Sequence, residues 1–300
     1  MTSRSRVLVV GYGEMGHAME HLLGARHELL IWNRHPPPAR PPLVLEEAAA
    51  GADFVIYTVP VTPLAQLAAR VLPHLSVHSV SLTVAKGLDE SARTAPRILT
   101  DVYAGQRDFG VLYGPMIAEE IRAGRPAYAQ AGVSRQPVFA RLAGLYAGSA
   151  LTLVASADLY GIAWASLLKN IYAMLFGAAA ALGLGDNARG YLVVSALAEL
   201  ETIVSGMGGQ RETARDLAGL GDLVTTATSA GSHHRALGGQ LVQGESGLQG
   251  EGIHTLAMLR EYALLDESGF PLFALARRLV EEPAAGSAQL REFLRHPAQR

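Results

Sequence analysis

One lysine in the sequence lies where a charged side chain is least expected. Lys169, followed by Asn170, lies near the middle of an apolar segment, Leu159–Gly185, that is rich in Ala, Leu and Gly. Burial disfavours the charged form of an amine, so a lysine in such surroundings is suited to give and accept a proton. The segment is long enough to span a membrane, but a charge at the bilayer centre costs about 2.5–3.5 kcal/mol. We therefore predict a buried core helix that carries a proton-transfer lysine.

A second group of residues is suited to binding phosphate. Gly11, Gly13 and Gly16 form a Gly-x-Gly-x-x-Gly pattern that follows an apolar run and opens a helix-like segment. In this context the first glycine permits a tight turn, the second lets a pyrophosphate approach the backbone, and the third lets the helix pack on the strand. The free N–H groups and dipole of the helix favour the phosphates. The pattern predicts a dinucleotide site that includes Glu14 and Met15, with the Glu14 carboxylate pointing away from the pyrophosphate.

The residues after the second apolar run bear on which dinucleotide binds. Enzymes that prefer NAD usually place an acid here for the ribose hydroxyls, whereas an arginine suits a 2′-phosphate. This chain has Asn33 and Arg34 and no acid at this point. NADP(H) is therefore favoured over NAD(H), and the alternative is that Arg34 is a solvated loop residue.

Alternating strand-like and helix-like segments position the glycine pattern. Such alternation predicts a Rossmann-type, doubly wound parallel sheet with helices on both faces over residues 1–155. The Pro-rich segment His35–Pro42 is predicted to be an extended loop. The predicted strands are Arg6–Val10, Glu28–Trp32, Phe54–Val59, Ser79–Val84, Phe109–Tyr113, Ala127–Ala131 and Leu151–Val154, and the predicted helices are Met15–Leu23, Pro63–Leu72, Ser91–Val102 and Gln136–Tyr146.

The strand pattern stops near Ser156, and the remaining segments have helical periodicity. They predict an all-helical substrate domain over residues 156–300, in which Asp158 caps the long apolar helix. The predicted helices of this region are Asp158–Leu184, Tyr191–Met207, Glu212–Leu217, Ser232–Leu241, Glu251–Tyr262, Pro271–Val280 and Ser287–Leu294.

Composition narrows the functional classes. The net charge of −2 gives no argument for binding nucleic acid or a membrane surface. The absence of cysteine excludes disulfides, thiolate zinc sites and cysteine nucleophiles. The N-terminus runs from a short polar stretch directly into a strand, so we expect no signal peptide and a cytoplasmic protein that acts on a small molecule, without membrane insertion.

Several further clusters carry a resemblance to a known family. They are Ala85–Leu88, Gly114–Glu120, Leu167–Ile171, Gly183–Arg189, Gly219–Ser229 and the late pair Glu251-Gly252. With the glycine loop, and in this order and spacing, they closely resemble the NAD(P)-dependent glycerol-3-phosphate dehydrogenases over nearly the whole chain.

The resemblance implies roles for matching positions. Lys169 would be the general base during oxidation of the carbinol and the general acid during reduction of the ketone. Lys86 would contact substrate near the nicotinamide, Asp222 would lie in the substrate pocket, and Glu251 would lie near the cofactor. The resemblance also implies substrate contacts at Gly114, Met116, Ser232, His233 and His234 and cofactor contacts at Pro60, Lys86, Ala118 and Arg235.

Each of these roles has a purely structural alternative. Lys169 could simply belong to a core helix, and Lys86 could be a solvated loop residue. Asp222 could cap a helix after Gly221, and Glu251 could be a first-turn acid at a helix N-terminus.

The chain departs from the family where substrate phosphate would bind. The family's Ser-Arg-Asn-Arg is Ser232-His233-His234-Arg235 here, and a family serine is replaced by Met116. Glu14-Met15 replaces Ser-Trp in the glycine loop, and Ala163 and Ala165-Ser166 replace Glu and Gly-Gly on the catalytic helix. A permanently charged, bidentate guanidinium is not equivalent to an imidazole, whose charge depends on its neighbours. Adjacent histidines on a helix point apart and no third ligand is evident, so we predict no metal site.

Three hypotheses remain at this stage. The first is a glycerol-3-phosphate dehydrogenase whose phosphate site is rebuilt from Arg235 and the two histidines. The second is a related NADP-dependent dehydrogenase for another small hydroxy or keto substrate. The third is a non-catalytic NADP(H)-binding redox sensor, which the retention of Lys86, Lys169 and Asp222 disfavours. The sequence leaves open the true substrate, the direction in the cell and the oligomeric state, for which a homodimer is one alternative.

Overall fold

The computed structural model describes residues 4–296 apart from residues 37, 39, 230 and 246. The chain divides into two compact units, Met1–Ala163 and Trp164–Arg300. The first contains a sheet and helices, and the second contains helices in the part that the structure describes. The functional boundary near residue 155 stays a prediction.

The first unit is built on a seven-stranded sheet in the order β2-β1-β3-β4-β5-β6-β7. The strands are β1 (Arg6–Val10), β2 (Glu28–Trp32), β3 (Phe54–Tyr57), β4 (Val80–Thr83), β5 (Asp108–Tyr113), β6 (Ala127–Val133) and β7 (Leu151–Ser156). The predicted fold class, a Rossmann-type sheet followed by a helical region, is confirmed.

One edge of the sheet departs from the predicted parallel arrangement. β1 to β5 are parallel, but β6 is antiparallel to β5 and β7 is parallel to β6. The segment between β5 and β6 contains only a five-residue helix, α5 (Ala118–Arg122). At 1.5 Å per residue this helix is about 7.5 Å long, too short to carry the chain back across a sheet face to a parallel start.

Helices cover both faces of this sheet. They are α1 (Glu14–Leu23), α2 (Leu45–Ala49), α3 (Leu64–Val71), α4 (Ala95–Tyr103), α5 and α6 (Gln136–Tyr146). Side chains along β1 alternate between the two faces of the sheet. Val7 and Val9 lie in the apolar cluster with Met19 of α1, and Leu8 and Val10 lie in the cluster on the other face. The sheet is therefore buried on both sides, as continuous apolar strands predict.

Helix bounds differ from prediction where local chemistry favours a turn. α4 begins at Ala95 rather than Ser91, because Asp89 Oδ1 accepts the backbone N–H groups of Ser91 and Arg93 and holds these residues in a turn. Pro96 then lies in the first turn of α4, where its missing N–H has no cost. The short helices α2 and α5 were not predicted, because five residues give too little periodicity.

Seven helices follow β7 in the described part of the chain. They are α7 (Leu159–Ala181), α8 (Gly185–Gly206), α9 (Asp222–Thr228), α10 (His233–Val242), α11 (Glu251–Glu261), α12 (Pro271–Glu281) and α13 (Pro283–Arg295). Asp158 Oδ1 accepts the N–H of Gly161 at 2.8 Å, so the predicted cap of α7 is confirmed. α7 is long and apolar enough to cross a membrane, but 94% of its most apolar window is buried inside the protein. It is a core helix.

The segment before and through α9 was predicted incorrectly. Instead of a helix at Glu212–Leu217, the chain forms a 3-10 turn at Arg211–Arg215 and a π turn at Leu217–Gly221. α9 itself was missed because its threonines have low helix propensity. The hydroxyl of Thr226 donates to the Asp222 carbonyl at 2.7 Å, so this side chain is satisfied within the helix.

Candidate active site

The glycine loop forms a tight turn between β1 and α1. Gly11 has φ +103°, a conformation that side chains disfavour, and a Cβ there would lie 2.8 Å from Val59 Cγ1. A Cβ on Gly16 would lie 2.5 Å from the Gly11 carbonyl oxygen. Thr58 Oγ1 donates to that same carbonyl at 2.8 Å, which ties the end of β3 to the loop. The predicted roles of Gly11 in the turn and of Gly16 in close packing are confirmed.

The N-terminus of α1 is open toward a ligand. A Cβ on Gly13, the N-cap residue, would meet no atom within 4 Å, and no side chain caps the helix there. The Glu14 carboxylate is paired with Arg122 of α5 at 2.7 Å, as expected of an acid that must avoid a pyrophosphate. Met15 packs partly buried against the apolar core. The open glycine cradle and the free helix N–H groups fit a dinucleotide pyrophosphate.

Two residues at the end of β2 differ in how they are held. Asn33 Nδ2 donates to the His35 carbonyl at 3.0 Å. Arg34 is exposed and has no hydrogen bond or ion pair with any residue that the structure describes. Arg34 is therefore available to a ligand, and no acid occupies the position that would suit ribose hydroxyls.

The remaining predicted residues of the first unit follow the carboxyl ends of neighbouring parallel strands. Pro60 follows β3, Lys86 follows β4 and Gly114 follows β5, so all three lie at the sheet edge that carries the glycine loop. Lys86 is partly buried, and the chain before it is fixed because the Tyr113 hydroxyl donates to the Ala85 carbonyl at 2.7 Å. This arrangement is that of a ligand site at the carboxyl edge of a parallel sheet.

Two predicted contacts near α5 are largely buried. Met116 is 9% exposed and Ala118 is 7% exposed, and both belong to the apolar cluster that includes Ile121 of α5. Met116 therefore packs in the core, and a substrate contact for it stays a prediction. The same holds for a cofactor contact at Ala118.

Lys169 lies within a buried polar cluster in the second unit. Its Nζ donates to Thr226 Oγ1 at 2.8 Å and lies 3.2 Å from Asp222 Oδ2. All three residues are buried, with exposures of 5% for Lys169, 5% for Asp222 and 7% for Thr226. The Thr226 hydroxyl donates to the Asp222 backbone carbonyl, so its lone pairs face the lysine. The Asp222 carboxylate stabilises the ammonium, which opposes the effect of desolvation.

Asn170, the neighbour of Lys169, joins α7 to α11. Its Nδ2 donates to Glu251 Oε2 at 2.9 Å, and Glu251 is the first residue of α11. A Cβ on Gly252 would lie 2.8 Å from the Asn170 carbonyl oxygen, so the two helices approach closely. His234 Nε2 lies 3.8 Å from the same Glu251 oxygen. Glu251 is thus both a first-turn acid and a partner of the lysine-bearing helix, and its cofactor contact stays a prediction.

The divergent segment forms the start of α10. Ser232 is its N-cap, and its Oγ accepts the Arg235 N–H at 3.3 Å. His233 is exposed and His234 is half-buried, and their ring centroids lie 6.2 Å apart. A Cβ on Gly177 of α7 would overlap the Arg235 carbonyl oxygen, so helix packing fixes this turn.

Among the described residues, no group of three or more His, Asp or Glu is placed to hold a metal ion.

Comparisons with known proteins identify the family. The model of the NAD-dependent glycerol-3-phosphate dehydrogenase N-terminus matches residues 42–138, and that of the C-terminus matches residues 158–288. Together these ranges cover most of the 300 residues.

This chain belongs to the NAD-dependent glycerol-3-phosphate dehydrogenase family.

The resemblance predicted from the motifs is therefore confirmed, and with it the class of enzyme, an NAD(P)-dependent oxidoreductase that acts on a CH–OH group.

Relatives named as glycerol-3-phosphate dehydrogenases match about four fifths of the chain, and a solved structure shares its fold. The glycerol-3-phosphate dehydrogenase [NAD(P)+] of Agrobacterium fabrum is 32% identical over 268 residues, covering 81% of this chain and 81% of that protein. The enzyme of the same name from Rhizobium etli is 33% identical over 266 residues, with 80% of each covered. A crystal structure of glycerol-3-phosphate dehydrogenase from Coxiella burnetii superposes with a TM-score of 0.84 at 24% identity, over 97% of this chain and 99% of that one, which shows a shared fold.

Several residues of the site in this family member were missed by sequence reasoning. Thr226 lies four residues after Asp222, on the same face of α9, and could have been found had α9 been predicted. Asn170 was noted only as a neighbour of Lys169. Tyr12 and Arg40, which contact each other at the glycine loop, gave no sequence signal, because they come together only through tertiary packing.

Proposed function

We propose that this protein interconverts sn-glycerol 3-phosphate and dihydroxyacetone phosphate, with Lys169 as the proton-transfer group. The observation that carries the proposal is the buried cluster of Lys169, Asp222 and Thr226. A core helix does not need a lysine, and burying an ammonium without a partner is strongly unfavourable. The cluster is therefore best explained by chemistry that uses the proton on Nζ.

The cofactor is proposed to be held by the glycine loop and Arg34. The open cradle at Gly13 accepts the pyrophosphate, and the exposed Arg34 guanidinium suits a 2′-phosphate, so NADP(H) is favoured and NAD(H) is the alternative. The bound nicotinamide supplies or accepts the hydride. We further propose cofactor contacts from Pro60, Ala118, Arg235 and Glu251, as the family resemblance implies.

The proposed proton step uses Nζ of Lys169. During reduction of the ketone, negative charge would develop on the carbonyl oxygen. Lys169 transfers a proton from Nζ to this oxygen, which yields the alcohol and leaves a neutral amine. In the reverse direction the neutral amine removes the hydroxyl proton. Asp222 favours the ammonium and therefore the acid form that reduction needs, and Thr226 directs one N–H of the lysine.

The substrate phosphate is proposed to be recognised by the start of α10. His233, His234 and Arg235 supply donors there, with Ser232 as the cap of the helix. Lys86 and Gly114 are proposed as further substrate contacts from the carboxyl edge of the sheet. Two imidazoles take the place of the family's arginine and asparagine, so the site lacks the bidentate guanidinium that this arginine would supply.

One observation favours a second candidate, an NADP-dependent dehydrogenase that acts on an unphosphorylated hydroxy or keto compound. His234 lies 3.8 Å from the Glu251 carboxylate, so negative charge already faces the imidazole that would bind phosphate. A phosphate dianion beside this carboxylate would be repelled unless His234 is protonated.

A substrate screen separates the candidates. NADPH oxidation is measured with dihydroxyacetone phosphate, dihydroxyacetone and a panel of small ketones and keto acids. Activity with dihydroxyacetone phosphate well above that with dihydroxyacetone supports the main proposal. Activity confined to an unphosphorylated compound supports the second candidate, and NADPH binding without turnover of any compound supports a redox sensor. The cytoplasmic location and a homodimer stay predictions, and light scattering of the purified protein tests the second.

A further inference from the structure

The segment after β2 is poor in backbone hydrogen-bond donors. Residues His35–Pro42 include five prolines, which lack an N–H and cannot donate backbone hydrogen bonds. The loop follows Arg34 directly, so its position determines where the Arg34 guanidinium can reach. If this loop has a fixed position, the Arg34 guanidinium is held at a defined place, and if the loop moves, the guanidinium is not.

Arg40 fastens this loop to the glycine loop and to α1. Its Nη2 donates to the Tyr12 hydroxyl at 2.8 Å and to Glu20 Oε1 at 2.5 Å. Its guanidinium also lies 4.5 Å from the centroid of the Tyr12 ring. The Tyr12 hydroxyl donates to the other oxygen of Glu20, so the three side chains close a cycle. We refer to Tyr12, Glu20 and Arg40 as the clamp.

The clamp acts directly on the phosphate-binding loop. Tyr12 lies between Gly11 and Gly13 in the chain, and its ring contacts both the Arg40 guanidinium and the His17 imidazole, whose centroid is 3.8 Å away. The hydrogen bond that Arg40 donates to Glu20 raises the pKa of Arg40, so the guanidinium and the carboxylate stay ionised together. The Glu20 carboxylate thus neutralises the charge of Arg40, whereas Arg34 forms no ion pair with any of the described residues.

We propose that Arg40 is a positioning residue for cofactor selection: the clamp holds the 35–42 loop so that Arg34, and not Arg40, meets the 2′-phosphate of NADP(H). This inference rests on the proposed NADP(H) preference. It assigns to Glu20 and Tyr12 a role in specificity although neither carries a charge that a 2′-phosphate would attract.

The first test compares dissociation constants for NADPH and NADH, measured by nucleotide fluorescence on the full chain without substrate. Arg34→Met removes the direct contact, and we expect the preference for NADPH to fall about tenfold or more. Arg40→Met removes the clamp, and we expect a fall of about fivefold to tenfold. Arg40→Lys keeps the charge but loses the two-acceptor geometry, so it should resemble Arg40→Met. Arg97→Met, at an exposed pair with Asp101, is the matched control and should change nothing.

The second test asks whether Glu20→Gln raises or lowers the preference for NADPH over NADH. If Arg40 positions the loop, weakening its anchor lowers the preference for NADPH, and the effects of Glu20→Gln and Arg40→Met are not additive. If Arg40 instead binds the 2′-phosphate, releasing it from Glu20 raises NADPH affinity, and the two variants change the preference in opposite directions. In the steady state, the loss from Arg40→Met should appear in KM for NADPH rather than in kcat.

The outcomes separate this inference from the function on which it rests. Wild-type protein that binds neither nucleotide, or binds both equally well, contradicts the proposed NADP(H) preference and the inference with it. Wild-type protein that prefers NADPH, combined with an Arg40→Met variant that retains the preference or a Glu20→Gln variant that increases it, contradicts the inference alone.

Discussion

Lys169 and Asp222 form a buried ion pair in which Nζ lies 3.2 Å from Oδ2 and the two side chains are 6% and 7% exposed. Removing one partner of such a pair leaves an uncompensated charge in the protein interior, which typically destabilises by about 3–5 kcal/mol. The pair is therefore informative about mechanism only when the effects of a variant on activity and on stability are measured separately.

Replacing Lys169 by alanine should lower kcat by about 100-fold or more, the usual scale for general acid–base catalysis. The affinity for NADPH should change by less than about twofold, because the nucleotide is proposed to bind to the glycine loop and Arg34 and not to Lys169. Stopped-flow kinetics and nucleotide fluorescence measure the two quantities. Lys169→Ala combined with Asp222→Asn is the control for stability, and it should melt at a higher temperature than Lys169→Ala alone. Near-normal turnover in Lys169→Ala would assign the lysine a structural role.

Replacing Thr226 by valine removes the oxygen that accepts a hydrogen bond from Nζ at 2.8 Å while keeping the volume of the side chain. Hydrogen bonds to charged groups are worth about 1.5–3 kcal/mol, so kcat should fall about tenfold or more. Thr226→Ser keeps the hydroxyl and should retain kcat within about threefold. Equal losses in the two variants would mean that packing of the methyl group, rather than the hydrogen bond, matters here.

The double variant His233→Arg with His234→Asn should lower the Michaelis constant for dihydroxyacetone phosphate. The phosphate is proposed to bind at the start of α10, where Glu251 faces His234 at 3.8 Å. A guanidinium is permanently charged and can bind a phosphate through two parallel hydrogen bonds, which an imidazole cannot do. Steady-state kinetics of wild type and double variant measure the change.

Dihydroxyacetone is the control for the phosphate, because it has no phosphate and its Michaelis constant should be the same in wild type and double variant. Wild-type protein inactive on dihydroxyacetone phosphate at every pH, and not rescued by the substitutions, would contradict the glycerol-3-phosphate assignment.

Glu201 should contribute stability that is lost in acid. Its carboxylate is buried and accepts hydrogen bonds from Arg215 Nε at 2.5 Å and Arg211 Nε at 3.0 Å. The hydrogen bond from Arg215, followed by that from Arg211, outweighs burial and lowers the pKa of Glu201 below its ordinary value of 4.5. The stabilisation is therefore complete above pH 4.5 and declines as pH falls toward the lowered pKa of the folded state.

Thermal unfolding measured between about pH 7 and pH 3 tests this linkage. The melting temperature of wild type should exceed that of Glu201→Gln near neutral pH, and the gap should narrow in acid. Glu261→Gln, at an exposed position on α11, should leave the profile unchanged. A gap that stays constant across the range would show that Glu201 acts through packing and not through its charge.

The sequence predicted much of the fold because its signals are local. Apolar runs and their spacing located β1 to β7 within a few residues, and Gly11, Gly13 and Gly16 marked the dinucleotide loop from residues adjacent in the chain. Lys169 was identifiable because a charge in an apolar helix is unusual wherever the helix packs. These features could be predicted because they depend on the periodicity of apolar residues and on steric limits within a short segment of chain.

The direction of β6 and the helix at α9 could not be predicted from local hydropathy. β6 pairs antiparallel to β5 because the intervening helix is too short for a crossover. α9 forms despite the low helix propensity of its threonines, whose hydroxyls donate to backbone carbonyls one turn earlier.

The partners of the chemical groups were decided by tertiary structure alone. Thr226 is 57 residues from Lys169, and Arg40 is 28 residues from Tyr12, so no local pattern links either pair. What brings them together is the packing of α9 on the lysine-bearing helix and the fastening of a Pro-rich loop to the glycine loop. The sequence by itself predicted that Lys169 transfers a proton and that the glycine loop binds phosphates. The tertiary structure decided which groups surround the Lys169 ammonium, because distances between side chains exist only after helices and loops have packed.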